Sequence, residues 1–348
     1  MKQTVKTGLF LTGTIIGAGF ASGKELISFF GRFGWWAIPL CALCGAFFIF
    51  GFILFMLIGK RVQPDKVEDI NAAVFGKFSI VADILVLLSL VLSGATMLSG
   101  SGALFSEAFG ISFKIPWISV AVCVVVFFCI LTGIKGLIKI NSYLMPVTMA
   151  VLLLISLLTL IKGNVAEVTP SINPAFGIAV AAAYAGMNFM QSFGVIGGAA
   201  KAMDIKTIKR GSIFGGASLF VVMAVMISAV LCAGEGALNS AMPSVYLALR
   251  SGGALAIVAA VAILFALITS LLSSAFTLSE WLDSFLKCRW LSILCVLIVC
   301  TVVSMLGFSS IINIFFPLQG AIGVVYIFAA AKHYFGIGHK KTNGIKMS

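Results

Sequence analysis

The chain has 348 residues, of which 61% are hydrophobic and 10% charged, with a formal net charge of +12 and a mean hydropathy of +1.17. A chain this apolar has lipid as its main solvent, so an all-α integral membrane protein is expected and a water-soluble enzyme or binding module is excluded. The basic residues are not interleaved with aromatic ones as a nucleic-acid surface requires, so the charge reads as topology and contact with anionic lipid, with no nucleic-acid partner.

A bilayer core of about 30 Å is crossed by about 20 apolar helical residues. Dividing the chain at its charged and Pro/Gly-rich joints predicts ten spans: 7–31, 36–59, 78–106, 114–132, 137–161, 174–200, 208–233, 254–285, 290–307 and 310–332. The opening Met1-Lys2-Gln3-Thr4-Val5-Lys6 has the charge of a signal-peptide leader. The apolar stretch after it runs too long, however, and no small-residue cleavage site ends it, so it is expected to stay as the first helix.

Gly17-Ala18-Gly19 interrupts that first span near its middle. In hydrocarbon a broken helix leaves N–H and C=O groups unpaired, which is tolerated only where they face protein, an ion or a wet cavity, so the break predicts a binding site. The half-helix starting near Gly19 would turn free N–H groups and a partial positive charge toward the membrane centre, where a substrate carboxylate could dock among Gly17, Ala18, Gly19 and Phe20. Lys24 and Glu25 follow in the outer half of the membrane. As sequence neighbours they do not face each other, so separate partners are expected. Lys24 could snorkel outward, and the pair is read as a gate, with Glu25 the candidate proton-linked group.

Further along, Ser89, Ser93, Thr96 and Gly100 recur at helical spacing in span three. Close helix packing accounts for most of that stripe, with Ser93 a candidate substrate contact. Span six carries a second expected interruption at Tyr184-Ala185-Gly186-Met187-Asn188. There Tyr184, Gly186, Asn188 and Gln191 would meet the polar atoms of a substrate, while Phe189 and Phe193 close its apolar side. In span eight, Ser270, Ser273, Ser274 and Thr277 share a face. One carbonyl and two hydroxyls from Ser270, Ser273 and Ser274 could converge on a hard cation such as Na⁺. Asp83, Glu280 and Asp283 lie near inner helix ends, where solvation or capping is expected, and the eight cysteines, mostly in apolar helices, read as packing thiols.

Ten spans with a cytoplasmic N-terminus place 18 of the 23 Lys and Arg residues inside and leave Lys24, Arg32, Lys114, Lys162 and Arg250 elsewhere. An odd number of spans would scramble this split, so both termini are expected in the cytoplasm of a multi-pass cell-membrane protein. The chain then divides into a first repeat (1–162), an extracellular connecting loop (163–173), a second repeat (174–333) and a cytoplasmic tail (334–348). Five spans is an odd number, so the repeats must be inverted. A five-plus-five inverted repeat with spans one and six interrupted puts substrate and ion sites at the midplane.

These residues resemble the amino acid, polyamine and neurotransmitter:sodium symporter group with the LeuT fold. In span five, Lys135-Gly136-Leu137-Ile138-Lys139 through Met145-Pro146 is similar to the KGIEK…MP opening of that helix in the sodium symporters. Ile172-Asn173-Pro174 with Ser192-Phe193-Gly194-Val195-Ile196 is similar to their LNP…GFG stretch, and Gly13-Thr14-Ile15-Ile16-Gly17-Ala18-Gly19 follows their broken-helix pattern. Ile16 through Glu25 also resembles the YkvI-type family of candidate amino acid permeases. The resemblance implies an ion site between spans one and eight, built from main-chain oxygens of Gly13, Ile16 and Ser270 with the hydroxyls of Ser273 and Ser274. Phe20 stands where the sodium symporters carry an Asn for a second sodium, so that second site is not carried over.

The reading is a secondary active transporter of an amino acid or similar small zwitterion, coupled to Na⁺ or H⁺ and working by alternating access. No cofactor is expected beyond the coupling ion, its partners are the substrate and the lipid bilayer, and a homo-oligomer stays open. An enzyme is not expected: the two histidines, His333 and His339, fall at the cytoplasmic end, out of reach of an intramembrane Ser-His or metal site. The alternatives are a ligand-sensing receptor on a transporter scaffold, which needs the same pocket, and a channel, which an internal inverted repeat suits less well.

Overall fold

A computed structural model describes residues 2–343 apart from 65, 112–116, 132–133, 163–169 and 202; for 2, 18, 134–145 and 337–343 it describes the backbone alone. The described residues form helices joined by short turns, with no strand among them. In chain order they are α1 (Lys2–Ile15), α2 (Ala18–Ser22), α3 (Lys24–Phe30), α4 (Ala37–Val62), α5 (Val67–Phe75), α6 (Ser79–Phe109), α7 (Trp117–Leu131) and α8 (Ile134–Lys162). There follow α9 (Gly177–Ala199), α10 (Ile205–Ala233), α11 (Glu235–Asn239), α12 (Pro243–Ser251), α13 (Gly253–Leu286), α14 (Arg289–Ser304), α15 (Phe308–Ser310), a π turn (Ile311–Phe315) and α16 (Phe316–Asn343).

Among the described residues, five helical stretches are long and apolar enough to cross a bilayer: Lys24–Val62, Val67–Phe109, Ile205–Ala233, Gly253–Leu286 and Phe308–Gly336. Shorter apolar helices cover Trp117–Leu131, Pro146–Lys162 and Arg289–Ser304. Large apolar side chains such as Phe78, Phe128, Ile161, Val302 and Phe328 point outward and are more than half exposed. On a water-soluble protein so many would be an aggregation hazard, whereas here they are the surface offered to lipid.

Helix ends follow local chemistry. Asp204 accepts the Thr207 N–H at 3.0 Å and starts α10, and those bonds to Thr207 hold its carboxyl below the usual carboxylate range. Asn173 accepts from the Ala175 N–H at 3.0 Å, and Pro174 opens the turn that leads into α9. Gly34, at φ 55°, kinks the chain between α3 and α4. Three helices between the expected spans, α5, α11 and α12, were not foreseen. The expected tail from 334 instead begins as a continuation of α16 to Asn343.

The first span breaks, but the sixth does not. The α1 ladder ends at Ile15, and Gly17 adopts an extended conformation (φ −95°, ψ −172°) before α2. The expected interruption at Tyr184–Asn188 falls inside α9, which is helical without a gap from Gly177 to Ala199. Gly186 has another use. A Cβ there would lie 2.7 Å from the Gly320 carbonyl oxygen and from the Val324 nitrogen, and a Cβ on Gly323 would collide with the Gly186 carbonyl. Ala183 meets Gly320 in the same way one turn away. The α9 and α16 backbones therefore touch along a strip of small residues, the close approach that drives helix association in lipid. A Gly323→Ala substitution should force the two apart and cost roughly 1–3 kcal/mol, seen as a lower melting temperature of the detergent-solubilised protein.

Candidate functional site

Within the segment 12–30 the chain is helical, then extended, then helical twice more. The Ile16 N–H still donates to the Thr12 carbonyl (3.0 Å), and the Gly17 N–H turns back to the Ile15 carbonyl (2.8 Å). Thr12 anchors this end of α1 by donating its hydroxyl to the carbonyls of Gly8 (2.9 Å) and Gly215 (3.2 Å). A second stop comes five residues later. The Ser22 hydroxyl donates to the Gly19 carbonyl (2.7 Å) and accepts the Lys24 N–H (3.1 Å), and Gly23 takes the left-handed conformation at φ 79° that a side chain would disfavour. The first-turn N–H groups of α2, on Ala18, Gly19 and Phe20, have no partner within their own helix.

Side chains close around this double break. A Cβ placed on Gly17 would sit 3.4 Å from the Ser270 hydroxyl oxygen, so the break abuts α13. A Cβ on Gly19 would fall on the Glu25 carboxyl, which folds back over that glycine. Glu25 is 6% exposed, and its Oε2 accepts the Tyr184 hydroxyl at 3.5 Å. Tyr184, fully buried, is held edge-on by Phe29 (centroids 5.0 Å apart) and Phe30 (5.4 Å). Phe189 extends the aromatic wall against Phe48, Phe52 and Phe55. Phe20 is buried in the same core.

The structure brings together some of the residues singled out and parts others. Gly17, Gly19, Glu25 and Tyr184 share one locus. Ser274 donates to the Ser93 hydroxyl at 3.3 Å, joining α13 to α6 beside α2. The Ser273 hydroxyl donates to the Thr269 carbonyl at 3.0 Å within its own helix. Asn188 gives its amide to the Tyr184 carbonyl at 2.9 Å, Gln191 is half-buried, and Gly186 belongs to the α16 contact. Gly13 and Ile16 flank the end of α1. The Ala18 side chain and the span-five motif before Pro146 lie outside the described side chains.

Lys24 does not snorkel. It is 7% exposed and donates through Nζ to the Ser240 carbonyl at 2.9 Å, while the Ser240 hydroxyl donates to Glu107 Oε1 at 2.6 Å. Sequence reading singled out neither Ser240 nor Glu107. Near the other end of α6, the Tyr326 hydroxyl donates to Asn71, whose amide donates to Asp83 at 2.5 Å. Asp83, half-buried near the start of α6 as expected of a helix-end residue, is thus tied through Asn71 to α5 and α16. Glu280 pairs with Arg289 at 4.0 Å on a partly exposed face.

No family model matches the chain. The uncharacterized membrane protein YkvI of Bacillus subtilis is 26% identical over 323 residues, covering 90% of this chain and 91% of YkvI. The uncharacterized protein YyaD of the same organism is 24% identical over 331 residues, covering 92% and 94%. The chain is homologous to both. Among solved structures, the nucleobase-cation-symport-1 transporter Mhp1, closed with bromovinylhydantoin bound, superposes with a TM-score of 0.67 at 15% identity over 91% of this chain and 74% of Mhp1. MhsT in complex with L-phenylalanine gives 0.65 at 14% identity, over 93% of this chain and 98% of MhsT. The chain therefore shares the fold of LeuT-type transporters.

If Gly19 is a glycine to make room for the Glu25 carboxyl, Gly19→Ala should expel that carboxyl from Tyr184. Gly19→Ala and Tyr184→Phe should each lower stability by about 0.5–1.5 kcal/mol. The double variant should cost little more than Gly19→Ala alone, a non-additivity measurable by a thermal double-mutant cycle.

Proposed function

We propose that the chain is an ion-coupled secondary transporter of an amino acid or a similar small zwitterion, working by alternating access in the cell membrane with both termini in the cytoplasm. The observation that carries this reading is the break at Ile16–Gly17, set against Ser270 and beside the buried Glu25–Tyr184 pair. Membrane helices leave backbone unpaired only where it faces protein, an ion or a wet cavity, and a substrate site is one such setting. The shared fold of Mhp1 and MhsT supports transport over sensing, and the ten-span, five-plus-five inverted arrangement is the topology that goes with it.

The substrate carboxylate docks on the first-turn N–H groups of Ala18, Gly19 and Phe20. Tyr184, Asn188, Gln191 and Ser93 surround the rest of the molecule. The Glu25 carboxyl already lies over Gly19, so an arriving carboxylate meets it directly. Two ionised carboxylates cannot share so small a dry volume. Either Glu25 carries a proton while the substrate is bound, or a cation balances the charge from the neighbouring oxygens of Gly13, Ile16, Ser270, Ser273 and Ser274. The first alternative makes H⁺ the coupling ion and the second Na⁺. Lys24 serves as the outer gate, since its bond to Ser240 ties α3 to the segment before α12.

Proteoliposomes with an imposed H⁺ or Na⁺ gradient should accumulate amino acid above the external concentration, and collapsing the gradient should release it. Equal uptake with and without a gradient rules out coupling. Glu25→Gln should still exchange substrate across the membrane, yet accumulate none in response to a pH gradient if the proton is the driver.

A further inference from the structure

Among the described residues one buried side chain has no partner at all. Gln319 of α16 is 4% exposed, and neither its Nε2 nor its Oε1 makes a hydrogen bond. A buried primary amide carries two donors and an acceptor, each of which costs free energy when left unmade, and lipid supplies no water to satisfy them. Such a group calls for a partner, and a bound substrate can supply one.

Its position in the fold points to which ligand. Gly320, the next residue, packs on Ala183, and Gly323 packs on Gly186. These contacts fix Gln319 at the level of Ala183 and Tyr184, the latter reaching Glu25. Residues seven apart lie on nearly one line along a helix. Within α16, seven residues on from Gln319, Tyr326 bonds to Asn71 and packs on Phe193. Before α16, across the π turn, the Ile312 carbonyl accepts from Ser28 of α3 at 3.5 Å. Gln319 thus shares the face of α16 that carries Tyr326, next to the glycine that packs on Ala183. The π turn at Ile311–Phe315 is the sort of distortion that accompanies functional positions in helices.

We infer that Gln319 reads the substrate's side chain, and that the preferred substrates are small zwitterions whose side chain ends in a neutral polar group, an amide or a hydroxyl. This rests on the transporter reading above. The zwitterionic head is engaged at α2, which leaves the amide facing the other end of the molecule. An amide offers donor and acceptor together but no charge. It therefore complements another amide or a hydroxyl, and cannot balance an ionised side chain in a dry site.

The test compares purified wild type with Gln319→Leu, and with Gln319→Met, which keeps the side-chain length. Thermal shift and counterflow in proteoliposomes would use free L-glutamine, L-asparagine and L-serine against L-leucine and L-phenylalanine. Wild type should favour the polar set. The variants should lose affinity for it by about tenfold or more while L-leucine stays within about twofold of wild type, and without ligand they should melt at or above the wild-type temperature, because an orphaned amide has been removed. A uniform loss for every substrate, no change, a wild type indifferent between the two sets, or a lower ligand-free melting temperature each overturns the role of Gln319. A wild type that neither binds nor moves any amino acid overturns the transporter reading itself.

Discussion

Hydrocarbon offers a peptide group no hydrogen-bond partner, and the middle of this molecule is arranged around that fact. Where α1 stops at Ile15 and α2 starts at Ala18, a short piece of backbone is released from the helical ladder at membrane depth. Several of the polar groups that the fold buries nearby gather at or next to that piece. Ser270 approaches Gly17, the Glu25 carboxyl covers Gly19, and Tyr184 reaches Glu25 from α9. The second stop, at Gly23, confines α2 to five residues, so the polar backbone is concentrated within little more than one helical turn.

Two further polar groups lie on either side of this centre. At one end of α6, Lys24, Ser240 and Glu107 tie α3, the segment before α12 and α6 together. At the other end, Tyr326, Asn71 and Asp83 tie α16 to α5 and α6. Each consists of a few direct bonds, most of them between elements far apart in sequence. In an alternating-access cycle the two would open in turn, and hydrogen bonds of modest net strength suit that task better than a packed apolar plug, since they can be exchanged for water when a path opens.

Much of the architecture was legible in the chain itself. Runs of apolar residues located most of the long helices to within a few residues, because span length is set by bilayer thickness, although α16 runs past the expected end at 332 to Asn343. The interruption at Gly17 showed because two glycines close together weaken a helix. Gly186 misled for the complementary reason. A glycine inside a membrane helix either frees backbone or admits a neighbouring backbone, and only Gly320 and Gly323, more than 130 positions later in the chain, decide between the two. The partner of Lys24 was hidden for the same cause: Ser240 is 216 residues away in a connection that carries no pattern. Glu25 announced itself by the expense of an acid in the membrane, whereas Gln319, uncharged and set in an apolar run, gave no such signal.

The bare contact between α9 and α16 has a mechanical corollary. With glycine against glycine and no side chain between them to deform, neither helix can slide or roll far on the other without main-chain collision. The two are geared into a single stave that carries Tyr184 on one side and Tyr326 on the other. If the proposed cycle operates, a shift of the first tyrosine would carry the second with it, and the bending would fall to places such as Gly23 and the widened turn that begins at Ile311.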